Sequence, residues 1–177
     1  MTKATRVTAT AALAAIALGA AATPSGAFRA PATVSAQDQT YLQTALEGDA
    51  FEVSAGRLAL RKSQNAEVRA AATRYAHDHA ASGSDGKRLA KRLRVHADFH
   101  PSPSQQWEIQ MLSGLSGGGF DHKYAYLEVL DHKQDLFEAK QEVENGSNPS
   151  VVAASRKEIP TLSRHLKLAR AALRSAS

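Results

Sequence analysis

No cysteine occurs among the 177 residues of this chain, which excludes a disulfide framework, thiolate metal ligands and a cysteine-linked lipoprotein anchor. No segment of useful length alternates apolar with polar residues as a half-buried strand would, so helix is the expected regular element. The Gly-x-Ser-x-Gly elbow, the His-Glu-x-x-His motif and the phosphate loop are all missing, and with them the familiar routes to hydrolysis. Gly117-Gly118-Gly119 lacks the following Lys-Ser/Thr that would hold a phosphate and reads as a joint that breaks or loosens the chain. Basic residues interleaved with aromatics do not occur either, so nucleic acid is not an expected partner.

What the chain does have begins with MTKATRVTATAALAAIALGAAATPSGA. Two basic residues, Lys3 and Arg6, precede an Ala/Leu-rich run and then small residues, the order of a secretory signal peptide cleaved after Ala27 or after Ala22. A retained membrane anchor is the alternative, which the shortness and alanine content of the run disfavour. Cleavage after Ala27 removes two of the 22 basic residues and none of the 17 acidic ones, so the formal charge falls from +5 to +3. The expected location is therefore secreted, periplasmic or in the cell envelope. An envelope surface or another envelope protein is the partner class that this modest charge allows. Residues 28–37 read as a Pro/Ala-rich linker, and residues 38–175 as one helical domain.

Asp38 is positioned as the N-cap of a first helix reaching about Lys62. Gly48 and Gly56 each lie one turn from Glu52, where small residues admit a close neighbour or leave room beside the carboxylate. Asn65 caps a second helix, in which Val68, Ala72, Tyr75, His79, Ser82, Gly86, Leu89 and Leu93 advance in steps of four and three. That is a bundle seam, and His79 lies on it. Ser82 to Gly86 is the place where this helix is expected to kink or stop. Ser102 with Gln105 makes a capping box ahead of Pro103, opening a short helix that tucks Trp107 and Met111 against the bundle end. A long helix follows, FDHKYAYLEVLDHKQDLFEAKQEVE, in which Glu128 and His132 stand one turn apart inside an apolar arc. Asp121 reads as its cap, and Asn145-Gly146 as its end. Asn148-Pro149 opens a last helix whose apolar stripe runs Val152, Ile159, Leu162, Leu166, Ala169 and Leu173, with His165 on its border and Pro160 expected to kink it.

The stretches LEGDAFEVSAGRLALRKSQNAEVRAAATRYAHDH, LSGLSGGGFDHKYAYLEVLDH and EIPTLSRHLKLA resemble the bacterial exported "domain of unknown function" family four-one-four-two. The resemblance covers about Asp38 to Ser175. It implies export and a ferritin-like four-helix bundle with one short extra helix between helices 2 and 3, and it implies no biochemical activity. The family's recurring polar positions fall here on Glu52, on Asp78 and His79, on Phe120, Asp121 and Tyr124, on Glu128 and His132, and on Pro160 and His165.

Glu52, His79, Glu128, His132 and His165 thus come from all four long helices. Ferritin-like carboxylate sites take a Glu from two helices and Glu-x-x-His from the other two. Here the comparable pair is spaced i, i+4 and histidines outnumber glutamates, a donor set that suits iron, zinc or copper. The leading expectation is metal binding in the bundle core, in a stress or metal-handling role. The other class is a non-catalytic envelope interaction module, in which the same residues and Tyr124 form a buried network that only fixes the bundle. An oxidase or catalase-like enzyme would also need an open coordination position.

Overall fold

The computed structural model describes residues 33–177, within which there are five helices and no strand. The expected leader, residues 1–27, and the first part of the expected linker, up to residue 32, lie outside the described residues. The helices are α1 (Ala36–Lys62), α2 (Ala66–Leu93), α3 (Pro103–Ser113), α4 (Gly117–Asn145) and α5 (Pro149–Ser175). None of them is long and apolar enough to cross a membrane.

Local chemistry sets most of these boundaries. Asn65 accepts from the backbone of Glu67 and Val68, and Ser102 and Gln105 form the reciprocal box that opens α3. Asn148, followed by Pro149, opens α5 and accepts from Ser150. The first helix is a correction: Ser35 is its N-cap, and Asp38 occupies the third helical position, returning its carboxylate to the Ser35 N–H. Both positions favour a short polar side chain, so Asp38 alone could not reveal which it held. Asp121 is not a cap either, because α4 begins at Gly117, with the three glycines as its first turn rather than as a break before it. Backbone N–H groups of a first turn have no intrahelical partner, so glycine costs less there than at mid-helix.

Ser82 to Gly86 does not interrupt α2, which is one continuous helix. Gly83 is needed for another reason: a Cβ there would collide with the Phe99 ring, so the connection after α2 folds back against a bare backbone. Gly56 has the close-approach role expected of it, since a Cβ would stand 3.0 Å from the Ala72 carbonyl of α2. α5 runs on through Pro160 as a single helix. On α3 it is Leu112 that is buried, while Trp107 is 67% exposed and Met111 packs only partly. An eleven-residue helix makes too few turns for sequence spacing to show its inner face.

α1 packs against α2 and α4, and α5 packs against α4 and α2, while α3 touches α1 and α4. One apolar cluster gathers Phe51, Val68, Tyr75, Leu112, Phe120, Tyr124 and their neighbours; a second joins Tyr41, Leu42, Leu89, Ala139, Val151 and Leu162. Between them, at a matching height on every long helix, lies a layer of polar side chains. Burying one large apolar side chain contributes about 1.5–3 kcal/mol, so the two clusters can carry a polar layer that adds little itself.

Candidate metal centre

The polar layer is supplied by α1 (Asp49, Glu52), α2 (Asp78, His79), α4 (Tyr124, Glu128, Asp131, His132) and α5 (His165). Glu52, His79, Glu128, His132 and His165 are all buried. They form two groups that share His132: one ring nitrogen each from His79, His132 and His165, and one ligand atom each from Glu52, Glu128 and His132, lie within 4.8 Å of one another.

In the histidine group every ring is held from outside. His79 Nδ1 is 2.7 Å from Asp49 Oδ1, His165 Nε2 is 3.1 Å from Asp78 Oδ2, and His132 Nδ1 is 2.8 Å from the Glu128 carbonyl. A carbonyl only accepts, so His132 donates from Nδ1, and its Nε2 is a lone pair with no hydrogen-bond partner. If His79 and His165 likewise donate outward to their carboxylates, their inner nitrogens are lone pairs too. Those two nitrogens, His79 Nε2 and His165 Nδ1, are only 3.2 Å apart. Two lone pairs at that distance repel unless a cation or a proton lies between them. Ligands on one tetrahedral ion with metal–nitrogen bonds of about 2.0–2.1 Å stand about 3.3 Å apart, which matches.

The electrostatics favour a neutral, ligand-ready imidazole at His132 and at His165. Burial, with His79 alongside, holds His132 well below the usual imidazole range and pushes His165 down to about 4. Asp78 is kept below the usual carboxylate range: burial works against this, but His77, His165 and Arg74 outweigh it. Tyr75 closes one side. Its ring centroid is 4.7 Å from His132 and 5.0 Å from His165, and its hydroxyl donates to the His165 carbonyl.

The carboxyl group is the reverse. His132 Nδ1 is 3.7 Å from both Glu52 Oε1 and Glu128 Oε2, beyond hydrogen-bond range, and no oxygen of either glutamate makes a hydrogen bond of normal geometry. The Tyr124 hydroxyl faces Glu128, and Asp131 faces Glu52, as hydrogen-bonding neighbours outside normal geometry. Burial, then the charges of Glu128 and Asp131, push Glu52 well above the carboxylate range; burial pushes Glu128 up to about 8 and raises Asp131.

Three expectations are corrected in detail. His165 is not a border residue but 1% exposed. Tyr124 is core as expected, and its hydroxyl faces the Glu128 carboxyl without a hydrogen bond of normal geometry. Asp121, inside α4 and buried, also leaves Oδ1 without a partner. Asp49 and Asp131 were not legible as site residues. The available signal was periodicity: Asp49 precedes Glu52 by three residues and is buried with it, and Asp131 follows Glu128 by three residues, half-buried at the edge of the same face. Beside the histidines, Asp49, His79, Asp135, Glu138, Glu158, Tyr41 and others line a cavity of about 30 Å³, enough for a water. It adjoins a larger cleft of about 270 Å³ between α1, α2 and α5.

Residues 23–172 match the family described as "Domain of unknown function (DUF4142)", and the chain belongs to that family. No curated protein matches it. Among solved structures, one titled "Crystal structure of DUF305 fragment from Deinococcus radiodurans" superposes with a TM-score of 0.70 at 16% identity, over 80% of this chain and 97% of that one. At that identity the likeness concerns the fold alone.

Proposed function

We propose that this DUF4142 protein binds a transition-metal ion in its core through His79, His132 and His165, with Glu52 and Glu128 supplying oxygen donors on the far side of His132. One observation carries the reading: each of the three rings has its outer nitrogen engaged by an oxygen, which leaves three inner nitrogens converging. Such outer partners fix tautomer and orientation in histidine metal sites. Three imidazoles suit zinc, copper or iron, and the small cavity beside His79 offers room for a fourth ligand. The scaffold is a ferritin-like four-helix bundle, in which α1, α2, α5 and α4 close a ring and α3 is the extra element. The protein works outside the cytoplasm, in a metal-handling or stress role, once a leader of about 27 residues is removed.

The second reading rests on the 3.2 Å contact between His79 and His165. A single proton there would complete a hydrogen-bonded row from Asp49 to Asp78 and fix the bundle without any ion. Elemental analysis separates the two. Protein purified without a His-tag and incubated with Zn(II), Cu(II) or Fe(II) is expected to retain one of these ions near stoichiometrically, and His79→Ala/His132→Ala to lose it. Asp49→Asn is expected to weaken binding about 10- to 100-fold, as removal of an outer partner does. A wild type that stays empty, with a double variant that merely melts lower, would establish the proton-held network instead.

A further inference from the structure

The cleft of about 270 Å³ between α1, α2 and α5 has a floor and a mouth of different chemistry. Tyr41, Leu42 and Leu46 of α1, Leu89 of α2 and Ala154 of α5 make an apolar floor. The mouth is cationic: Arg88 and Arg92 of α2 and Lys157 of α5 line it, and all three are exposed. Asp85 pairs with Arg88 and, at 3.4 Å, with Lys157, so one carboxylate holds two cations in place and neutralises only one. Arg92 makes no ion pair among the described residues. The bias extends along this side of the bundle. α2 carries six Lys and Arg against three Asp and Glu, and α5 six against one, whereas α4 carries three against seven. Anions in solution are therefore drawn to the side where the cleft opens. The other charged groups of the lining are carboxyls: Asp49, committed to His79 at 2.7 Å, and Glu158, half-buried and pushed up by burial and by Asp49.

We infer that this cleft binds a single-chain anionic amphiphile, a carboxylate whose short acyl chain lies on the floor and whose head group meets Arg88, Arg92 and Lys157. Volume, lining and charge each narrow the class. The cleft is at the small end of the range in which proteins hold small ligands, with room for one short chain and not for the paired chains of a membrane lipid. A chain on the apolar floor gains by leaving water. Guanidinium groups match a carboxylate with paired N–H donors, which a point charge does not. Asp49 and Glu158 offer an anion no positive charge, so the head group stays at the mouth beside the arginines and the ligand has one orientation. The site stands apart from the metal reading and does not depend on it.

Octanoate is the probe, titrated calorimetrically into protein that a chelator has stripped of metal, so the fate of the metal reading leaves this test untouched. Saturation at one equivalent is expected. Octylammonium and acetate should each bind about tenfold more weakly or worse, the first lacking the negative charge and the second the chain. Hexanoate should be weaker than octanoate by about tenfold, the worth of two buried methylene groups. Arg88→Gln/Arg92→Gln changes only exposed side chains and should fold as wild type by circular dichroism. It is expected to weaken octanoate by about tenfold and to leave octanol unchanged. Ala154→Leu occupies the floor and should weaken octanoate and octanol together. Failure of octanoate to saturate the protein at millimolar concentration would overturn the site. So would octylammonium binding as tightly as octanoate, or full octanoate affinity in the arginine variant.

Discussion

Asp38 and Glu52 are carboxyl residues of the same helix, both without solvent exposure, and their surroundings are opposite. Asp38 Oδ1 accepts from the backbone N–H groups of Ser147 and Asn148, at 3.0 Å each. Its Oδ2 takes the Ser35 N–H and the hydroxyls of Ser35 and Ser147, at 2.6 to 2.8 Å. Burial opposes its ionisation, yet these donors hold it well below the usual carboxylate range. Glu52 has no such donor and is pushed the other way. A saturated carboxylate is a clamp, here tying the start of α1 to the turn between α4 and α5. An unsaturated one is either costly or a receptor. Two groups of nearly the same chemistry are thus assigned different jobs by counting their donors.

The largest effect that could break this contrast is Asp38→Ala. It strips the acceptor from three N–H groups and two hydroxyls at a bundle end, and removal of a charged, multiply bonded acceptor costs about 3–5 kcal/mol. Urea unfolding should show that loss with little change in slope, and a loss below about 1 kcal/mol would mean that Asp38 is no clamp. A smaller effect follows from Glu142, which lies beside Asp38. Burial first, and then Asp38, raise it to about 7. A carboxyl raised on folding contributes stability that is fully present below its unfolded pKa of about 4.3 and is lost as pH rises through 7. The Glu142 share, about 1–3 kcal/mol between pH 4.5 and 8 after discounting for its place near the bundle end, should appear as the difference between the metal-free wild type and Glu142→Gln. Asp38, with the opposite shift, acts only on the acid side below about pH 4.

Much of the fold was legible because its signals are local. Asn65, Ser102 with Gln105, and Asn148-Pro149 each bond within a few residues of themselves, so their helix starts survive any tertiary arrangement. The seam from Val68 through His79 to Leu89 was readable for a similar reason, since one helix face repeats whatever it packs on. Asp38 looked like the cap because the N-cap and the third helical position favour the same short polar residues, while its bonds to Ser147 and Asn148, far along the chain, have no local signature. The same distinction runs through the site. Glu52, His79, Glu128, His132 and His165 each stand out against apolar neighbours on their own helix. Asp49 gains its role only from the rotation that brings α2's His79 to it, and Asp131 from the approach of α1's Glu52. Neither relation has a one-helix signature.

The smallest expected effect is also the sharpest. In the metal-free protein Glu52 is held as a neutral carboxyl by burial and by its two acidic neighbours. Glu52→Gln exchanges it for a neutral amide of the same shape, whose N–H groups can donate to Glu128 and Asp131 where the carboxyl O–H did, so no charge is left unpaired. Unfolding free energy should shift by less than about 1 kcal/mol in either direction, since replacing a buried polar group by a neutral isostere can be close to neutral. Asp38→Ala on the same helix then costs several times more, although both residues are equally out of water. Adding the transition-metal ion that the wild type retains should separate the two carboxyls again: wild type gains stability in proportion to the logarithm of ion concentration over its dissociation constant, and Glu52→Gln, lacking one oxygen donor, gains less. A loss of more than about 3 kcal/mol in the metal-free Glu52→Gln protein would instead show an ionised, paired glutamate. The two carboxyls would then be alike, both serving to hold helices together.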